Sequence, residues 1–324
     1  MKIIRAQHLG MCFGVRDAIA LALKQADATP VTILGDLVHN QSVLDSLREK
    51  GIRIENRIES VSTPTVMITA HGASEQTLNR VRGRGLNVVE ATCPLVAFAH
   101  RAVAKLIAEG YHPVIIGQRD HVEVRGLTED LEQFDVVLSE ADVAGLQERP
   151  RFGVAAQTTQ PIDRVRHLVS LIRRRFRGSE VRFLDTVCQP TKQRQSAAID
   201  LASQCDVVMV IGGANSNNTR ELVATCRRYC PRVHHVQSAA DLRPEWFAGA
   251  ETVGITAGTS TPDRVIDAIE ARLRELAASR DILAGAQQSP RWSDSGFAGQ
   301  EPQPRSVDLG SAVDLSLVPR TAQK

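Results

Sequence analysis

The stretch Asp206-Val-Val-Met-Val-Ile-Gly-Gly-Ala-Asn-Ser-Asn-Asn-Thr219 joins an unbroken apolar run to a glycine pair and a cluster of carboxamides and hydroxyls. Such a run without polar alternation marks a strand covered on both faces, as in a parallel sheet. The same unit recurs at Val31-Thr-Ile-Leu34, Thr65-Val-Met-Ile-Thr69, Pro113-Val-Ile-Ile116, Gly153-Val-Ala-Ala156 and Thr252-Val-Gly-Ile255, each ending in a polar or glycine-bearing tip. Amphipathic segments lie between them, for example Val96 to Ala108, closed by Gly110 as a helix cap. Strand and helix alternate, which predicts an α/β fold built on parallel sheets.

Composition agrees and excludes several classes. The chain has 324 residues, with Lys+Arg 39 against Asp+Glu 37 and a formal net charge of +2. No strong field points to nucleic acid or an anionic membrane. Apolar residues at 43% and charged residues at 23% fit a globular protein rather than a disordered or fibrous one. No apolar run approaches the ~18 residues that span a bilayer. The start, Met1-Lys-Ile-Ile-Arg-Ala-Gln-His-Leu9, reads as a strand and lacks the apolar core of a signal peptide. The expected location is the cytoplasm, where six cysteines suggest metal or redox chemistry more than disulfides.

Three cysteines stand in similar settings: His8-Leu-Gly-Met-Cys12-Phe-Gly-Val, Ala91-Thr-Cys93-Pro and Asp185-Thr-Val-Cys188-Gln-Pro-Thr. Each interval between them fits one α/β lobe. Three lobes are therefore expected: residues 1–95 with Cys12 and Cys93, 96–190 with Cys188 at its end, and 191–285. A helix is expected from Asp263 to Ala278. The stretch 286–324 is rich in Gln, Ser, Gly and Pro, and is expected to be a disordered tail.

In open parallel sheets ligands bind beyond the carboxyl ends of the strands. The groups there are Val38-His39-Asn40, Ala70-His71-Gly72, His121-Val-Glu123, Gln157-Thr158-Thr159, Asn215-Ser216-Asn217-Asn218-Thr219 and Thr256-Ala-Gly-Thr-Ser260. Taken singly, such residues also serve as helix caps and turn formers. Together they offer a donor-rich, neutral-to-cationic face suited to a phosphate or diphosphate. Gly212-Gly213 would let the backbone approach a ligand closely. No Gly-Lys-Ser/Thr follows, so this is not a P-loop.

Cys12, Cys93 and Cys188 each precede a helix, and Pro94 and Pro190 support two of those starts. A helix N-terminus is expected to lower a thiol pKa. Three such thiolates could hold a metal centre. A [4Fe–4S] cluster with three Cys would leave one iron open, whereas zinc would want a fourth protein ligand. Cys205, Cys226 and Cys230 read as small core residues.

The motifs resemble those of the 4-hydroxy-3-methylbut-2-enyl diphosphate reductase, or LytB, family. The matching elements run in order: Gly10-Met-Cys12-Phe-Gly-Val, Val38-His-Asn40, Ala70-His-Gly72, Ala91-Thr-Cys-Pro94, His121-Val-Glu123-Val, Gln157-Thr-Thr159, Cys188 with Arg194-Gln195, Asn215-Ser216, and Thr256-Ala-Gly-Thr-Ser260. The resemblance implies three α/β lobes in a trefoil around a [4Fe–4S] cluster on Cys12, Cys93 and Cys188. It implies that His39, His71, His121, Ser216, Asn218 and Ser260 hold the substrate diphosphate. Asn217 stands where the family usually has a second serine, and its carboxamide can still donate. The family's acid maps to Glu123, its hydroxyl partner to Thr158, with His121 beside them. The implied reaction is reductive dehydroxylation of the allylic diphosphate to isopentenyl and dimethylallyl diphosphates, with electrons from ferredoxin or flavodoxin.

Two other readings compete. A zinc hydrolase with Glu123 as base would need close pairs such as Cys-x-x-Cys or His-x-x-x-His, absent among these positions. A non-catalytic iron–sulfur sensor would require neither the Glu nor three His at strand tips.

Overall fold

The structure, a computed structural model, describes residues 1–287. Its strands are β1 (Lys2–Arg5), β2 (Val31–Leu34), β3 (Arg53–Glu55), β4 (Thr65–Ile68), β5 (Asn87–Glu90), β6 (His112–Ile116), β7 (Asp135–Val137), β8 (Arg151–Ala156), β9 (Glu180–Phe183), β10 (Val207–Ile211), β11 (Val233–Val236) and β12 (Thr252–Ala257). They form three four-stranded sheets, ordered β3-β2-β4-β5, β7-β6-β8-β9 and β1-β12-β10-β11. Every pairing is parallel.

The central strands are apolar because helices cover both faces. Ile33, Met67, Ile115, Val154, Met209 and Ile255 are each 0% exposed. Burying one such side chain contributes roughly 1.5–3 kcal/mol. The strand ends, and the tips that follow them, are therefore fixed points.

The first strand departs from the expected lobe boundaries. β1 pairs with β12 in register Lys2↔Thr252, so residues 1–95 do not form one self-contained lobe. The local pattern of Lys2–Arg5 specifies a strand but not its partner, which lies at the other end of the described chain. The chain then crosses to the first lobe through the helix Phe13–Ala28, whose Ala18 and Ala22 pack with Ile33 and Met67. The helix Pro94–Ala108 enters the second lobe, Ala99 and Val103 packing with Ile115 and Ala155. The helix Gln189–Ala202 enters the third, Ala198 and Leu201 packing with Val208 and Val210. Cys12, Cys93 and Cys188 are the N-cap residues of these three helices. Each cysteine thus marks a passage from one sheet to the next.

The helix expected to end at Ala278 extends over Asp263–Gln287. The added residues, with Ile282, Leu283 and Ala284 among them, carry no proline to stop it. The tail expected over 286–324 lies outside the described residues from residue 288 onward.

Candidate active site

The twelve residues given a ligand, substrate-binding or proton-transfer role above line one pocket: Cys12, Cys93, Cys188, His39, His71, His121, Glu123, Thr158, Ser216, Asn217, Asn218 and Ser260; their neighbours Asn40, Gln157 and Asn215 do not. The twelve come from all three lobes. Two glycines permit the lobes to close around it. A Cβ on Gly14 would lie 2.4 Å from Cys93 Sγ, so the helix starting at Phe13 can press on the second cysteine only without a side chain there. A Cβ on Gly213 would lie 2.5 Å from the His39 carbonyl oxygen. The close approach foreseen at Gly212-Gly213 is therefore to the backbone of the first lobe.

Cys93 and Cys188 behave differently from the helix-start expectation. Burial pushes Cys93 up, outweighing the amides of Leu95 and Val96 that favour its thiolate. Burial likewise pushes Cys188 up to about 11, against the Thr191 hydroxyl 3.1 Å from its sulfur. Removing these sulfurs from water costs more than the first helical turn returns. A thiolate here needs a cation to hold it. Thr191 was not singled out in the sequence, although its place three residues after Cys188 was a usable signal.

Glu123 is 1% exposed. The Thr158 amide donates to its Oε1 at 2.7 Å, and the Thr158 hydroxyl to its Oε2 at 3.0 Å. Burial wins over both bonds and raises the carboxyl to about 7. It can hold a proton near neutral pH and surrender it.

The three imidazoles pack together, with ring centroids 4.5 Å apart for His39 and His71, 5.2 Å for His39 and His121, and 5.6 Å for His71 and His121. Burial lowers all three, His71 well below its ordinary value and His121 to about 3. Each can bring one ring nitrogen within 4.8 Å of the others, a spacing that could suit a metal ion. His121 argues against that use. Its Nδ1 accepts the Glu123 amide at 3.1 Å, so the neutral ring carries its proton on Nε2. A protonated Nε2 donates to an anion and cannot ligate a cation.

The remaining polar groups extend this donor set. His39 Nε2 and Asn218 Nδ2 are buried and lack partners among the described residues. Asn218 Oδ1 accepts the Thr259 amide at 3.0 Å, which fixes the carboxamide. Asn217 Nδ2 already donates to Thr159 Oγ1 at 3.0 Å. Ser216 caps its helix by accepting the Thr219 amide, and the Ser260 hydroxyl donates to the His39 carbonyl at 3.3 Å. Val15, Leu95 and Val96 give the same pocket an apolar wall. The site therefore has a thiol side, a donor-rich side and a buried acid.

A family model described as LytB protein matches residues 3–274. The chain belongs to the LytB family. It is 38% identical over 278 residues to a 4-hydroxy-3-methylbut-2-enyl diphosphate reductase of Pelobacter propionicus, covering 85% of this chain and 99% of the relative. To the protein of the same name from Trichlorobacter lovleyi it is 39% identical over the same shares. Among solved structures it is similar to (E)-4-hydroxy-3-methyl-but-2-enyl diphosphate reductase, the terminal enzyme of the non-mevalonate pathway, at 36% identity and a TM-score of 0.62, over 85% of this chain and 100% of that one. The Plasmodium falciparum E-1-hydroxy-2-methyl-but-2-enyl-4-diphosphate reductase gives 26% identity and a TM-score of 0.76, over 82% and 85%. The trefoil of three parallel sheets is thus the architecture of this LytB chain.

Proposed function

We infer that this LytB chain reduces (E)-4-hydroxy-3-methylbut-2-enyl diphosphate to isopentenyl and dimethylallyl diphosphates, the terminal step of the non-mevalonate route. The substrate takes up two electrons and two protons and releases water. The observation that carries the reading is the pocket itself: three thiols, a protonatable buried acid and a set of anion-directed donors meet in one cavity.

Cys12, Cys93 and Cys188 fit an iron–sulfur cluster better than a single ion. The three thiols line the pocket from three lobes, one short of the four protein ligands that a structural zinc takes. A [4Fe–4S] cluster on these three residues supplies single electrons and a Lewis-acidic iron that no cysteine claims. Ferredoxin or flavodoxin is the class of donor that delivers electrons one at a time.

The chain's own residues do the rest. His39, His71, His121, Ser216 and Asn218 hold the diphosphate by neutral donation, Asn217 adds a second carboxamide, and Ser260 joins them once its hydroxyl turns from the His39 carbonyl. That grip sets where the far end of a short substrate lies, a positioning effect worth several kcal/mol. Val15, Leu95 and Val96 keep water from its carbon chain. Glu123 gives a proton to the departing hydroxyl, a poor leaving group otherwise. Thr158 holds the carboxyl in place for that transfer.

No helix among the described residues is long and apolar enough to cross a membrane. All six cysteines are unpaired, as suits a reducing cytoplasm. The test is anaerobic turnover of the allylic diphosphate with a chemical reductant, alongside absorbance near 400 nm. A visible chromophore without turnover would favour a sensor, and turnover without iron would overturn the cofactor.

A further inference from the structure

Arg194 is 7% exposed, and its guanidinium meets no carboxylate among the described residues. Its Nε and Nη2 both donate to the Gly10 carbonyl, at 3.0 and 2.6 Å. Its Nη1 donates to the Pro190 carbonyl at 3.0 Å. Gly10 stands two residues before Cys12, and Pro190 two residues after Cys188. One planar fork therefore ties the segment carrying the first cysteine to the segment carrying the third. Lysine could not reproduce this, since its single ammonium lacks the fork.

A cation taken out of water and given only neutral carbonyls is costly. Burial works against the charge of Arg194, Arg16 opposes it further, and Cys12 and Cys188 are the groups whose thiolates favour it. The carbonyls that hold it belong to the segments carrying Cys12 and Cys188, so this buried charge is placed beside two of the three thiols.

We propose that Arg194 is a positioning residue for the centre on the three thiols. Its fork clamps the Cys12 segment to the Cys188 segment, and its fixed charge favours the electron-rich state of that centre. The proposal rests on the reading that the thiols hold an iron–sulfur cluster. Every thiolate adds negative charge and every electron adds more, so a nearby cation favours reduction. Cluster potentials respond to net charge and hydrogen bonding in this way.

The experiment compares Arg194→Gln and Arg194→Lys with the unaltered full chain, prepared anaerobically. A spectroscopic redox titration reads the midpoint potential, and a thermal melt reads the clamp. Arg194→Gln is expected to shift the potential to more negative values, while Arg194→Lys stays near the unaltered protein. Both are expected to melt a few degrees lower, because both lose the fork. An unchanged potential in Arg194→Gln overturns the charge role, and unchanged melting in both variants overturns the clamp. If Arg194→Gln takes up no iron, Arg194→Lys decides: an unaltered potential with lowered melting supports the proposal, and a shifted potential overturns it. If the unaltered chain itself shows no iron–sulfur absorption, the functional reading fails, and melting alone still decides the clamp.

Discussion

Thr158 meets Glu123 with two donors at once, its amide on Oε1 at 2.7 Å and its hydroxyl on Oε2 at 3.0 Å. The arrangement follows from sheet register. β6 and β8 are neighbours paired Ile116↔Ala156, so the tips after them emerge side by side. Glu123 lies in the first turn of the helix Val122–Thr128 after β6, and Thr158 sits in the turn after β8. The carboxyl is held firmly yet remains protonatable, because burial outweighs the two bonds.

Glu123→Gln separates these properties. The amide matches the carboxyl in shape and can keep both contacts to Thr158, but it has no acidic proton. Turnover with a chemical reductant should fall by about 10²–10⁴-fold, the usual weight of a general acid. The chromophore and pyrophosphate affinity should stay near those of the unaltered protein. Undiminished turnover would remove Glu123 from the proton path.

The same carboxyl should make stability depend on pH. Its ordinary value is 4.5, and in the folded chain it titrates at about 7. Between these values the folded protein keeps a proton that the unfolded chain has lost. The stability contributed by the neutral form is thus complete below pH 4.5 and is lost as the pH rises to about 7. At ~1.4 kcal/mol per pH unit the loss is about 3 kcal/mol. Urea unfolding at pH 5 and pH 8 should show Glu123→Gln gaining on the unaltered chain by that amount. A constant gap between the two proteins would contradict the shifted carboxyl. Turnover that depends on the acid form should also decline above about pH 7.

Cysteine substitutions should divide by location. Cys188 lines the pocket, whereas Cys226 is 0% exposed in the core of the third lobe, its sulfur 3.9 Å from the Ala198 carbonyl. Cys188→Ser should abolish the visible absorption and lower the bound iron and sulfide. Cys226→Ser should leave both unchanged and only reduce the melting temperature. A full chromophore in Cys188→Ser would refute the ligand assignment.

Much of this was legible because it is local. Apolar runs such as Val207–Ile211 disclose buried strands, and Pro94 and Pro190 disclose helix starts beside two of the cysteines. The pairing of Lys2–Arg5 with the last strand was hidden, since a strand's pattern does not encode its neighbour. The direction of the Cys93 and Cys188 shifts was also hidden. The helix start is visible in sequence, but the depth of burial that overrides it is set by three lobes closing together. The tautomer of His121 depends on one backbone contact, from the Glu123 amide, that residue types alone do not specify.

The two adjacent carboxamides of the third lobe should contribute unequally to diphosphate binding. Asn218 spends its oxygen on the Thr259 amide and keeps its buried Nδ2 free of any partner among the described residues. Asn217 has committed a proton of its Nδ2 to Thr159. Asn218→Asp preserves the bond to Thr259 and turns the donor into an acceptor that repels phosphate. Its KM should rise about 10- to 100-fold, equivalent to ~1.4–3 kcal/mol, with kcat changed far less. Asn217→Ala should raise KM by less than Asn218→Asp does. Inhibition by inorganic pyrophosphate gives a second reading of the same contact, free of the reduction chemistry. If Asn217→Ala weakened pyrophosphate more than Asn218→Asp, the principal carboxamide contact would belong to Asn217.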